Sequence, residues 1–236
     1  MGLLKIADDL AAELAGLTFA PPVAHVYNPL VYARAPLRQY LERFGAPPKE
    51  AVFVGMNPGP WGMAQTGVPF GEVGFVRNWM GIEAEVTRPA GEHPKKRVTG
   101  FACRRSEVSG KRLWGLAAER FEAPKQFFDR FFVLNYCPLL FLDADGRNLT
   151  PDKLKASEQA ALQERCDRAL YRSIEFLKPR LVIGVGNFAE ARAREALSGL
   201  DVSIGRILHP SPQNPQANKG WREIVLAQLA ELGVAF

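Results

Sequence analysis

Asn57, Asn135 and His209 each close a short apolar run, and each is followed by proline within three residues, at Pro58, Pro138 and Pro210. Apolar runs of this length read as buried strands, and proline turns a chain sharply out of a sheet. If the strands are parallel neighbours, the three side chains point into one crevice beyond their carboxyl ends, where open α/β sheets bind ligands. Two amides and an imidazole suit a flat ligand with polar edges. Taken singly, each is also an ordinary cap or turn former. The stretch from Gly55 to Gly71 supports the first reading. It holds Asn57, the aromatic Phe70 and an unusual density of Gly and Pro, so it forms a long, stiff, shaped loop at a strand end.

The elements that must position these residues follow from the apolar pattern. Runs at 52–54, 131–134, 181–185 and 204–208 predict four strands. Helical spacing predicts helices over 3–14, 37–44, 156–177, 189–197 and 221–232. Thr150-Pro151-Asp152 has the form of a helix start, with a capping residue followed by proline. Residues 21–48 otherwise read as loop-rich, and 83–100, with Lys95-Lys96-Arg97, as an exposed polar loop. Strands alternating with helices imply a mostly parallel sheet covered on both faces.

With 236 residues, 47% of them hydrophobic, the chain is expected to form a single domain over 1–236. The net charge of +5 is compatible with a polyanionic partner or with an ordinary basic protein. Three separated cysteines, Cys103, Cys137 and Cys166, argue against a disulfide framework and exclude a four-thiolate cluster within one chain. The three histidines show no zinc spacing, so no metal and no cofactor is expected. No run approaches a membrane span and no signal pattern opens the chain. An intracellular protein is expected, cytoplasmic in a bacterial cell or nuclear in a eukaryotic one, and nothing suggests an obligate oligomer.

Other chemistries compete on sequence. Gly184-Val185-Gly186-Asn187-Phe188-Ala189 fits the dinucleotide fingerprint, with Asp201 placed for a ribose. It comes late in the chain, and small residues also permit close helix–strand packing with no ligand. No P-loop and no nucleophile elbow is present. Cys137 has apolar neighbours and reads as a buried structural thiol. Lys219 suits a phosphate contact or solvent better than a Schiff base.

Residues 55–71, from Gly55-Met56-Asn57-Pro58-Gly59-Pro60-Trp61-Gly62-Met63 to Val68-Pro69-Phe70-Gly71, closely resemble the first motif of the single-strand-selective monofunctional uracil-DNA glycosylases. His209-Pro210-Ser211-Pro212-Gln213-Asn214-Pro215 through Trp221 resembles their second motif. Shorter segments, 27–29, 106–110, 135–140 and 146–151, are similar to family segments too. The resemblance spans about Tyr27 to Trp221. It implies a three-layer α/β/α fold with a central four-stranded parallel sheet. It also implies base excision repair of single- and double-stranded DNA, in which uracil and oxidised pyrimidines such as 5-hydroxymethyluracil are removed and an abasic site is left.

The resemblance assigns roles residue by residue. Asn57 positions the attacking water and His209 stabilises negative charge on uracil O2. Phe70 stacks on the flipped base, and Asn135 reads its N3–H and O4 edge. Met56, Gly59 and Met63 surround C5, Gly59 leaving space there for small substituents. Ser211, Pro212, Gln213 and Asn214 enter the DNA, and Lys219 contacts it. Gln213 stands where the family often has Arg, and Trp61 where it has Phe. The residues themselves still leave two further readings: a nucleic-acid-binding module without catalysis, and a nicotinamide-dependent oxidoreductase built on 184–189.

Overall fold

The computed structural model describes residues 2–236. In chain order its elements are α1 (Leu3–Leu14), β1 (His25–Tyr27), α2 (Pro29–Tyr32), α3 (Arg34–Phe44), β2 (Ala51–Gly55), α4 (Met63–Thr66), α5 (Val108–Arg120) and α6 (Pro124–Phe128). There follow β3 (Phe131–Asn135), β4 (Leu140–Leu142), β5 (Asn148–Leu149), α7 (Ala156–Leu177), β6 (Leu181–Val185), α8 (Asn187–Ala196), β7 (Ser203–Ile207) and α9 (Trp221–Glu231).

The main sheet has the order β3-β2-β6-β7, and all three pairings are parallel. Every residue of β2 and β6 is buried, as continuous apolar strands covered on both faces must be. Alternation along each strand divides the side chains between two helical layers. Phe53 and Ile207 pack with Leu113 and Leu116 of α5, Phe127 of α6 and Val225 of α9. On the opposite face, Leu134 meets α1, α3 and α7, and Tyr40 of α3 stacks on Phe132 at 5.0 Å. Gly184 belongs to this second face. A Cβ there would lie 2.4 Å from the backbone nitrogen of Glu190, so the glycine lets α8 lie directly on β6.

The four expected strands and their parallel order are present, and the five expected helices form within a few residues of their expected bounds. Three features differ. First, residues 21–48 are not loop-rich: α3 begins at Arg34, and β1 joins β4 and β5 in a separate antiparallel sheet. Second, Thr150 opens only a 3-10 turn over Pro151–Lys153, its side chain caps nothing, and α7 starts later at Ala156. Third, the segment 83–100 has no regular strand, but it is anchored rather than wholly exposed. His93 and Val98 are buried, the Tyr27 hydroxyl donates to the Lys96 carbonyl at 3.0 Å, and it accepts from the His93 N–H at 2.7 Å. Among the described residues, no helix is long and apolar enough to cross a membrane.

Candidate active site

Parallel pairing brings the expected residues to one edge of the sheet. Gly55 and Asn135 are register partners at the ends of β2 and β3. The ladder continues past them, with Tyr136 N–H donating to the Gly55 carbonyl and Cys137 N–H to the Met56 carbonyl, both at 2.9 Å. Behind Asn135, the Tyr136 hydroxyl donates to Asp167 at 2.7 Å and accepts from Arg192 Nε at 3.1 Å, and Arg192 also pairs with Asp167. Burial and the Asp167 carboxylate hold the Tyr136 phenol far above its ordinary pKa, so it stays a donor. Asn135 is thus fixed from both sides of the strand end.

The Asn135 amide nitrogen donates to the Met63 thioether at 3.2 Å. Its oxygen is buried and accepts no hydrogen bond within the protein. An unpaired buried acceptor costs about 1–3 kcal/mol and calls for an explanation, of which a ligand donor is one; among the described residues Trp79 Nε1, in the aromatic core with Trp114, Phe127 and Phe128, is also unpaired. Gly55 is what admits this group: a Cβ there would lie 2.4 Å from Asn135 Oδ1 and 2.5 Å from Phe70 Cε2. The amide and the ring therefore converge over one bare backbone position.

Phe70 has φ 54°, the left-handed region that a non-glycine residue rarely occupies. Its neighbours overdetermine it. Thr66 Oγ1 donates to the Gly71 carbonyl at 2.9 Å, Trp114 Nε1 donates to the Pro69 carbonyl at 3.2 Å, and Glu72 N–H donates to the Phe70 carbonyl at 2.7 Å. That carbonyl also lies where a Cβ on Gly110 would be, 2.0 Å away, so α5 can pass only because residue 110 is glycine. The Phe70 ring stands 6.3 Å from the His209 ring at 46°.

His209 leaves β7 beside Gly186, whose φ of +92° and missing Cβ accommodate the imidazole. Ser211 N–H donates to His209 Nδ1 at 3.0 Å. Desolvation lowers the imidazole pKa to about 4, so the ring is neutral at pH 7. With Nδ1 accepting, the proton resides on Nε2. Asn57 is oriented similarly: its amide nitrogen donates to the Leu139 carbonyl at 3.2 Å, which leaves Oδ1 as the acceptor. A cleft of about 500 Å³ opens between Met56, the start of α8, and His209 with Asn214.

The turn after His209 is internally braced. Ser211 Oγ accepts from Gln213 N–H at 3.1 Å, and Asn218 Nδ2 donates to the Pro212 carbonyl at 2.8 Å. Pro212, Gln213 and Lys219 are exposed, and Ser211 and Asn214 are partly so. Arg112 of α5 ties the turn to the core, donating to the Pro210 carbonyl at 2.8 Å and to Asn218 Oδ1 at 2.9 Å. Cys137 is buried, as expected of a structural thiol.

One expectation fails. Gly59 does not leave space: the position its Cβ would take is filled by Glu107, with Oε2 only 2.3 Å away. Burial raises the Glu107 pKa, partly offset by the N–H groups of Ser109 and Trp61. Sequence reasoning gave no role to Glu107, Arg112 or Gln65. The two glycines at 59 and 62 facing a carboxylate were the available signal for Glu107, but only the fold brings them together.

The chain is similar to known proteins over nearly its whole length. The family described as the uracil DNA glycosylase superfamily matches residues 42–230. The Rattus norvegicus protein named single-strand selective monofunctional uracil-DNA glycosylase is 52% identical over 235 residues, covering 99% of this chain and 84% of its own. The Bos taurus protein of that name is 49% identical, with 99% and 86% covered. A crystal structure of wild-type SMUG2 from Pedobacter heparinus superposes with a TM-score of 0.64 at 16% identity, over 97% of this chain and 98% of that one, and so speaks for the fold. The chain belongs to the uracil DNA glycosylase superfamily and, within it, to the single-strand selective monofunctional uracil-DNA glycosylases.

Proposed function

We propose that this protein hydrolyses the N-glycosidic bond of uracil in DNA, as a monofunctional glycosylase of base excision repair, and that Asn57 and His209 carry the chemistry. The observation that supports the reading best is the unpaired Asn135 Oδ1 beside the Phe70 ring. Uracil flipped from its strand offers an N3–H donor to that oxygen and a face to that ring. The Asn135 amide nitrogen, held now only by the weak acceptor sulfur of Met63, is then available to uracil O4. Cytosine presents the reverse pattern.

As the C1′–N1 bond breaks, the electron pair leaves on the base and negative charge gathers on O2. His209 Nε2–H donates to that oxygen without giving up its proton, in the manner of an oxyanion hole. Asn57 Oδ1 accepts a hydrogen bond from the attacking water and aims its oxygen at C1′. An amide cannot take the water's proton, so dissociation leads and capture of the sugar cation follows, the protons exchanging with solvent. No side chain is required as a covalent nucleophile, consistent with a monofunctional enzyme. Met56 and Met63 border the C5 edge, and their flexible thioethers yield to small 5-substituents more readily than branched side chains would. Ser211, Pro212, Gln213 and Asn214 enter the space left by the flipped nucleotide in a duplex, while Lys219 meets the backbone. We read the chain as one domain working as a monomer on single and double strands, in the compartment that holds the DNA.

The decisive experiment incubates the metal-free protein with a uracil-containing single-stranded oligonucleotide and cleaves abasic sites with alkali. Strand breaks at uracil are expected, and their absence sinks the reading. Asn57→Ala and His209→Ala are each expected to slow single-turnover excision by about 10²-fold or more; wild-type rates in both would remove the assigned roles.

A further inference from the structure

Between residues 95 and 112 the chain carries seven Lys or Arg and a single acid, Glu107, so this stretch alone holds a larger positive excess than the whole protein's +5. Among the described residues none of the seven forms an ion pair, whereas Arg77 before the stretch pairs with Glu83 and Lys125 after it with Asp129. Two of the seven converge on one ring. Lys96 Nζ lies 4.9 Å and Arg105 Cζ 4.6 Å from the centroid of Trp61, which itself belongs to the loop carrying Asn57 and Phe70.

Carboxylates are near, Glu107 against Gly59 and Gly62 and Glu92 accepting from Val98 N–H, but none pairs with these cations, which repel one another, and an aromatic face offsets only a small part of that. The arrangement is nevertheless built. Gln65, fully buried, donates to the Pro60 carbonyl at 2.9 Å and to the Arg97 carbonyl at 3.1 Å, and accepts from Thr99 N–H at 2.9 Å. Tyr27 holds the Lys96 carbonyl from the other side. The cations are thus fastened to the pocket loop and to Tyr27 of β1. Ser211 to Lys219 flank the site from the β7 side.

We propose that Lys96 and Arg105, held on Trp61, form a clamp for backbone phosphates of the DNA strand beside the flipped nucleotide. The proposal rests on the glycosylase reading and adds to it where the strand runs: from the Trp61 platform across the pocket towards Lys219. Both cations rest on one ring, Arg105 exposed and Lys96 partly so, and thus meet phosphates without first being reordered.

The test is the salt dependence of binding to a fluorescently labelled, uracil-free single-stranded oligonucleotide, measured by anisotropy for wild type, K96A/R105A and the control K125A. Lys125 precedes β3 and therefore lies at the opposite end of the sheet. Each single-strand phosphate contact adds roughly 0.7 to the slope of log K against log salt. The double variant is expected to lose about 1.4 from that slope. Between 50 and 200 mM salt its affinity then falls roughly sevenfold less than that of wild type. K125A is expected to keep the wild-type slope. A wild-type slope in K96A/R105A overturns the clamp, as does an equal loss in K125A. Uracil excision by wild type is followed in parallel: its absence counts against the glycosylase reading, while the slopes judge the clamp in either event.

Discussion

Ser211 N–H donates to Nδ1 of His209 at 3.0 Å, so the residue that begins the DNA-facing turn also sets the tautomer of the imidazole. The same bond keeps Nε2 protonated. Desolvation keeps the ring neutral, with a pKa of about 4 against an ordinary value near 6.5.

The depressed value has a consequence for stability. Above pH 6.5 neither the folded nor the unfolded form holds the extra proton. Between pH 6.5 and 4 only the unfolded chain takes it up, so stability falls with pH across that window and levels off below it. The loss from this residue is on the order of 3 kcal/mol. Urea denaturation of wild type and His209→Asn from pH 7.5 to 4 is expected to show a shallower fall for the variant. A histidine nitrogen NMR titration is expected to show His209 as the Nε2–H tautomer at pH 7, with a midpoint near 4. A midpoint above 6 would overturn the neutral-donor assignment.

Gly55→Ala places a methyl group within 2.5 Å of both Asn135 Oδ1 and Phe70 Cε2. Residue 55 has no positive φ, so the penalty is steric rather than conformational. Overpacking of this kind costs about 1–3 kcal/mol. Denaturant midpoints are expected to drop accordingly, and single-turnover excision to fall by more than about 10²-fold, because the base-reading amide and the stacking ring are displaced together. Retained activity would mean that the two side chains are not jointly placed by this glycine.

Glu107 fills the faces of Gly59 and Gly62, and the nearby backbone N–H groups of Ser109 and Trp61 temper the rise that burial gives its pKa. Glu107→Ala is expected to loosen the 58–62 loop and lower kcat by about tenfold or more. Glu107→Gln keeps an acceptor oxygen and nearly the same volume, so it is expected to recover most of that loss. If Gln fares no better than Ala, the carboxylate acts through its charge instead.

Arg112 joins α5 to both ends of the 210–218 turn. Arg112→Ala frees that turn while leaving Asn57, Asn135 and His209 in place. Excision from duplex DNA is expected to fall by about tenfold more than excision from single strands, since only the duplex requires the turn to enter it. Equal losses on both substrates would assign Arg112 a purely structural part.

The sheet and the three strand-end residues were legible because buried parallel strands are continuous apolar runs, as in Leu181–Val185, and because a polar residue followed by proline marks where each ends. The small β1-β4-β5 sheet was not. Leu140–Leu142 spans three residues and Asn148–Leu149 two, too short for a period to register. The fingerprint at 184–189 was legible as a pattern and misleading as chemistry: its glycines admit the backbone of α8 and the ring of His209. Glu107, Arg112 and Gln65 act through partners 40 or more residues away or through backbone carbonyls, which local sequence does not display.

Gln65 spends every polar atom it has on joining the pocket loop to the strand-facing loop. The two therefore translate as a single body. An enzyme that travels along DNA in this form presents its pocket at a constant height and tilt above each passing nucleotide.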